Sequence, residues 1–375
     1  PQGGCLLGAL SRPAPGGQPD GRPASIRPPT GRQTTGGRPM QLGLIWGYWA
    51  AQPPEGWVDL TQEAERLGYD AVWTSESWGS DAFSPLAHLS AVTDKIRLGT
   101  SVVQIAARTP TACAMHAVTL DHLSQGRLIL GIGVSGPQVV EGWYGRPFGR
   151  PLARTREYVE VLRNAFAREG HLTYDGEFHQ HPYTGPGATG LGKPLKIMTH
   201  PLRADLPIFI GAEGPKNVAQ TCAIADGWLP LYYSPYRPEV YDEAIAGRPD
   251  SFEIPLNMIV NVTDDVTAGL LPMKMSIALY IGGMGAKGQN FHTQLMSRMG
   301  FEAEAHRVQE LFLEGRREEA IAAVPDDFCD EISLVGTPER IRDRLQAFED
   351  SPITMLNVTA RSVAELRQAA ELILG

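Results

Sequence analysis

Eight short apolar runs, each followed by a stretch with helical spacing, constrain this chain more than any other feature. Residues 42–46, 71–74, 96–103, 127–133, 206–210, 227–231, 254–262 and 353–358 read as strands. Between them apolar side chains return every three or four positions. Leu60, Ala64 and Leu67 do so after the first run, Tyr158, Leu162, Ala165 and Phe166 after the fourth, and Ile341, Leu345 and Phe348 before the eighth. Thr337-Pro338 is an N-cap followed by Pro at the first helical position, and Asp264-Asp265 can cap the helix behind the seventh strand. Eight strands alternating with helices predict an α/β fold, a (β/α)8 TIM barrel. An open doubly wound sheet is the rival, and no Gly-x-Gly-x-x-Gly follows the first strand to support it.

A barrel takes roughly 250 residues. About 85 of those from Met40 onward are therefore insertions in a single barrel domain over 40–375. They fall near 171–205, where Tyr174-Asp175-Gly176-Glu177 signals a hairpin, and near 264–335. The second insertion reads as three helices and a loop, Gly282-Gly283-Met284-Gly285, whose glycines would permit a lid. Residues 1–39 differ in kind. Eight prolines, nine glycines and a charge of +4 leave no strand or helix period, so this segment reads as a disordered N-terminal extension.

The 375 residues carry 33 basic and 42 acidic side chains, a formal net charge of −9, which argues against a nucleic-acid partner. No run approaches the roughly 18–20 apolar residues of a membrane helix, so a soluble protein is expected. The cysteines, Cys5, Cys113, Cys222 and Cys329, lie far apart with no C-x-x-C pair, which suits a reducing cytoplasm. His179 and His181 share one strand face without a third ligand nearby, so no metal site is expected.

In a barrel, chemistry sits in the loops after the strands. Trp46, Tyr48 and Trp49 follow the first strand, and Ser75, Glu76, Ser77 and Trp78 the second. Aromatic residues at one mouth suit stacking against a flat ring; the alternative is that they pack beneath the helices. Glu76 stands just past a buried strand, where it is either a general acid or base with a raised pKa or a structural cap or ion pair. Strand 4 runs into Gly133-Val134-Ser135-Gly136, which allows close backbone approach to a ligand. Strand 5 runs into Gly211-Ala212-Glu213-Gly214-Pro215-Lys216. There free N–H groups at a helix start, with the Lys216 charge, can hold a phosphate, provided Glu213 points away; the alternative is a plain turn into a helix.

These motifs in their order resemble the luciferase-like flavin oxidoreductases. The resemblance rests on Leu98-Gly99-Thr100-Ser101-Val102-Val103, residues 120–127, Leu130-Gly131-Ile132-Gly133, residues 212–217 and Ala225-Asp226-Gly227-Trp228. It spans 40–375 and is strongest for the actinobacterial branch that uses the deazaflavin coenzyme F-420. It implies a barrel of the bacterial luciferase type, often dimeric, with a cis peptide at Ser101-Val102 backing the deazaflavin ring. It also implies that Gly133 to Gly136 approach the cofactor side chain, and that N–H groups around Gly214, with Lys216, hold its phosphate. Two positions depart from the sugar-phosphate dehydrogenases of that branch. Glu76-Ser77 stands where they have an Asp-His pair, and Pro137 stands where they have a second acid.

The expected function is hydride transfer between F-420 and a small, fairly apolar substrate such as a ketone, alcohol or activated alkene. Trp46, Tyr48, Glu76 and Trp78 would wall the pocket, and Glu76 would transfer the proton or orient the group that does. The alternatives are an FMN-dependent monooxygenase on the same barrel, or a barrel that binds flavin without turnover.

Overall fold

A computed structural model describes residues 39–284 and 290–375. All but the last residue of the expected disordered extension lies outside the described residues, and so does Gly285 of the expected loop.

Eight parallel strands form the frame: β1 (Gln41–Gly47), β2 (Ala71–Thr74), β3 (Arg97–Thr100), β4 (Leu128–Gly133), β5 (Ile208–Gly211), β6 (Gly227–Leu229), β7 (Pro255–Met258) and β8 (Met355–Val358). They pair in chain order from β1 to β6, while β8 pairs with β1 on one side and β7 on the other. The Trp228 N–H donates to the Glu253 carbonyl at 2.9 Å, which brings β6 against the chain entering β7. The sheet thus returns on itself as a nearly closed barrel with helices outside.

Alternation along each strand divides the core in two. Outward side chains such as Leu42, Leu44, Val72, Leu98 and Leu130 pack against the helices. Inward ones (Ile45, Ala71, Trp73, Ile129, Phe209, Leu229 and Met355) form a separate cluster inside the barrel. Trp73 and Phe209, with ring centroids 6.1 Å apart, are its two largest side chains. Glycines on neighbouring strands make room for them. A Cβ on Gly99 would lie 2.2 Å from the Trp73 ring, and one on Gly227 2.6 Å from Phe209. This filled interior supports the mouth above it.

The expected element boundaries need four corrections. The third strand is not continuous over 96–103. It stops at Thr100 and resumes at Val103–Gln104, which pairs with Ile132 and Gly133. The seventh is not one strand over 254–262. After Met258 the chain leaves the barrel, and Val260–Val262 pairs instead with Leu334–Gly336, a strand the periodicity did not reveal. Among the described residues the second insertion holds six helices, over 266–269, 271–283, 291–298, 302–313, 317–322 and 326–331, rather than three. Gly282 and Gly283 end the helix Leu271–Gly283 instead of forming a loop, because the Phe312 ring packs on them; a Cβ on Gly282 would lie 2.2 Å from it.

Candidate active site at the barrel mouth

The break in the third strand shapes the floor of the mouth. The Ser101–Val102 peptide is cis, as the resemblance implies. The Ser75 hydroxyl donates to the Ser101 carbonyl at 2.6 Å, and the Glu76 N–H donates to the Val102 carbonyl at 3.2 Å, so the second-strand loop fixes the peptide from both sides. The Val102 side chain packs on the interior cluster. It lies across Gly133 and Gly211, which face each other in the β4–β5 register. A Cβ on Gly133 would meet a Val102 methyl at 2.5 Å, and one on Gly211 would meet the other at 3.3 Å. The result is an apolar floor with glycine backbone beside it.

Glu76 closes one side. It is 7% exposed, and both oxygens are taken by the Arg108 guanidinium, at 2.9 and 3.0 Å. One oxygen also accepts from the Gln104 N–H at 2.7 Å. Burial pulls the Arg108 pKa down, but the Glu76 carboxylate outweighs this and leaves it raised. Glu76 is therefore ion-paired to a buried guanidinium, the structural alternative that its sequence position left open. Ser77 contributes its carbonyl, which accepts from the Tyr144 hydroxyl at 3.2 Å. Burial first, and Glu76 second, raise the Tyr144 pKa.

The aromatic residues after the first two strands divide. Trp46 is half-buried, and its indole N–H donates to the Thr61 hydroxyl at 2.9 Å, which commits it to the first helix rather than to a ligand's polar atoms. Trp49 likewise packs on Trp57, with centroids 5.8 Å apart, and its N–H donates to Ser80. Tyr48 and Trp78, 41% and 50% exposed, stand open at the rim.

On the opposite side, Val134 is half-buried against the core, and Ser135 adopts a positive φ of 60° before Gly136 begins the short helix Pro137–Gly142. Ala212 is buried, its carbonyl accepting from the Trp228 indole at 2.7 Å. Gly214 starts the helix Pro215–Ile224 with no side chain capping it, and a Cβ there would meet nothing within 4 Å. Lys216 is exposed in the first turn. An uncapped helix start beside open space is a ready anion site.

Glu213 turns to the second insertion. Its carboxylate lies 2.9 Å from Nδ1 of His292, and its carbonyl accepts from the Tyr241 hydroxyl at 2.9 Å and from Arg298 at 3.1 Å. The Glu213–His292 contact is off the line of a hydrogen bond. Among the described residues Nδ1, Glu213 Oε2, Arg298 Nε and the Tyr232 hydroxyl are buried without partners. Tyr280 joins them, its ring edge-on to His292 at 5.0 Å. Burial, then Tyr48 and Glu213, push the Tyr280 phenol up to about 12. Asn290 sets this geometry. Its amide donates to the Tyr280 and Ile281 carbonyls, and its oxygen accepts from the N–H groups of His292 and Thr293. One helix end is thereby tied to the next helix start.

Sequence reasoning missed Gln104, Arg108, Tyr232, Tyr280, His292 and Arg298. Gln104 and Arg108 follow the third strand, so the strand-end rule could have found them. His292 and Tyr280 lie on insertion helices and carry no such mark.

Residues 30–355 match the model of the luciferase-like monooxygenase family. A Mycobacterium tuberculosis protein provisionally named a coenzyme F-420-dependent oxidoreductase is 50% identical over 343 residues, covering 89% of this chain and 99% of that protein. The fold is similar to that of the F-420-dependent tetrahydromethanopterin reductase of Methanopyrus kandleri, with a TM-score of 0.70, 22% identity and coverage of 90% and 99% of the two chains. It is also similar to that of an F-420-dependent secondary alcohol dehydrogenase solved with an F-420–acetone adduct, with a TM-score of 0.68, 16% identity and coverage of 90% and 98%. The chain belongs to the luciferase-like monooxygenase family.

Proposed function

We propose that this protein is an oxidoreductase that uses coenzyme F-420 to exchange a hydride with a small organic substrate in the barrel mouth. The observation that carries this reading is the floor itself. Val102 lies across Gly133 and Gly211, leaving an apolar shelf, with the uncapped helix start at Gly214 on the same loop system. A flat, phosphate-bearing cofactor has the chemistry for both. The half-identical relative, matched over nearly its whole length, bears that cofactor in its name.

When bound, F-420 supplies or accepts the hydride. The N–H groups around Gly214 and the Lys216 ammonium hold its phosphate, while Gly133 to Gly136 give its side chain close approach to the backbone. The Val102 side chain supports the ring. The Glu76–Arg108 pair fixes the loop after β2, and Tyr48 and Trp78 present an apolar rim to the substrate. The family description also favours a second reading, an FMN-dependent monooxygenase. The homodimer implied by the resemblance belongs to this proposal, and sedimentation of the purified protein tests it. Among the described residues no helix is long and apolar enough to cross a membrane.

Parallel titrations with F-420 and FMN, followed by cofactor fluorescence, test the reading. Binding of F-420 in preference to FMN supports it. Preference for FMN moves the assignment to the monooxygenase, and binding of neither overturns both.

A further inference from the structure

Glu76 and Glu213 both follow barrel strands at the mouth, and they differ in their partners. Glu76 accepts three hydrogen bonds from Arg108 and Gln104. Glu213 keeps a buried Oε2 without a partner, beside a buried imidazole nitrogen that also has none among the described residues. Leaving such groups unpaired is costly, so unfilled groups gathered at one place point to a ligand or a proton. The unpaired Glu213, Tyr232 and His292 atoms come from three segments, after β5, after β6 and on an insertion helix, and Tyr280 from a second insertion helix packs beside Tyr232 and His292. Nδ1 of His292 is sealed against Glu213, whereas Nε2 makes no hydrogen bond among the described residues and is not among the sealed atoms. The ring therefore presents one nitrogen outward and is backed by a carboxylate on the other, the arrangement of an oriented acid–base imidazole.

We propose that His292, positioned by Glu213, is the residue that gives and takes the proton on the substrate's oxygen, and that the substrate pair is a carbonyl compound and its alcohol. This rests on the F-420 reading above. In the reducing direction the carbonyl carbon gains a hydride, two electrons and one proton's nucleus, from the reduced deazaflavin, which is oxidised by two electrons. The C=O π bond becomes a C–O single bond, and its oxygen takes the Nε2 proton of the imidazolium. The imidazole is left neutral and is reprotonated from solvent. The groups facing His292 are Glu213 from the β5 loop, Tyr280 from the preceding helix, and Asn290, whose oxygen accepts from its backbone N–H. Tyr232 and Tyr48 flank Tyr280, and Arg298 holds the Glu213 carbonyl.

The first test needs no substrate. Diethyl pyrocarbonate acylates accessible neutral imidazoles, and peptide mass mapping of the full chain reads the rate at His292 with and without F-420. Acylation in the ligand-free protein, slowed roughly fivefold or more by F-420, supports the assignment. The second test uses reduced F-420 with cyclohexanone, acetophenone and benzaldehyde as probes. His292→Ala is expected to lower kcat about 100-fold. F-420 affinity should stay within about twofold, and one limb of the wild-type pH profile should vanish. Glu213→Gln should lower kcat by less. His292→Gln, which can still reach Glu213, restores folding but not turnover.

His292 left unmodified in the ligand-free protein, or modified equally fast with F-420 bound, overturns this assignment alone. Wild-type turnover and pH profile in His292→Ala also overturn it. Failure of the wild type to oxidise reduced F-420 with any carbonyl probe overturns the substrate class. Failure to bind F-420 at all overturns both this proposal and the reading beneath it.

Discussion

Glu76 and Glu213 each stand just beyond a barrel strand, one after β2 and one after β5, yet they sit in opposite kinds of environment. Glu76 is 7% exposed and engaged on both oxygens by a bidentate guanidinium, with a backbone N–H on one of them. Glu213 meets an imidazole out of line and keeps a buried oxygen unpaired. A carboxylate held on both oxygens by fixed donors contributes shape and a fixed field. One whose sites are open can still exchange a proton or a ligand. Under the proposal for His292, the Glu76 side of the mouth is scaffold and the Glu213 side carries the chemistry.

The largest effect should come from breaking the ion-paired site. Arg108→Met leaves the Glu76 charge buried and unpaired, and we expect a loss of about 3–5 kcal/mol in urea unfolding. His292→Gln, at the open site, should cost under about 1 kcal/mol, because no aligned hydrogen bond is lost. Equal losses would erase the distinction. Next is the floor. Gly133→Ala forces a methyl against Val102, 2.5 Å away, and should cost about 1–3 kcal/mol and weaken F-420 binding several-fold. Gly214→Ala meets open space and should stay within about 1 kcal/mol. Retained affinity in Gly133→Ala would remove Val102 from beneath the ring.

Lys216→Ala should cost less. The side chain is exposed, so the loss of F-420 affinity is about 0.3–1 kcal/mol, roughly two- to fivefold, and shrinks as salt is raised. A loss that salt does not change would point to a buried contact instead. The smallest effect sharpens the contrast between imidazoles. Burial lowers the pKa of both His179 and His181 on the 174–181 hairpin. A histidine whose folded pKa lies below its unfolded value binds protons more readily when unfolded. The stability it contributes is complete above about pH 6.5 and falls as pH drops through that value. In His179→Gln, Tm should therefore decline less steeply on acidification than in the wild type, with F-420 affinity unchanged. An identical decline would contradict a structural role for His179.

The frame of this protein was legible because eight apolar runs and the helical stretches between them carry their own periods. The pause at Ser101-Val102 was not legible from the residues, since the β-branched run continues through it; only the resemblance pointed there. Leu334–Gly336 is three residues long and too short to show alternation. The sequence also announced that Glu76 would need a partner, because buried carboxylates seldom lack one. It could not say that the partner stands 32 residues on, at Arg108. His292 was out of reach for another reason. Its place at the mouth depends on Asn290 tying two insertion helices together, a contact with no periodic signature.

In the proposed complex F-420 sits on the Val102 floor with its phosphate at the helix start after β5. Hydrogen exchange with mass spectrometry, with and without saturating F-420, tests it most directly. Slowed exchange in 131–136 and 211–217, with no slowing in the 174–181 hairpin, is the expected result. Protection confined to the hairpin, or absent from the Gly211–Lys216 segment while F-420 is bound, would contradict it.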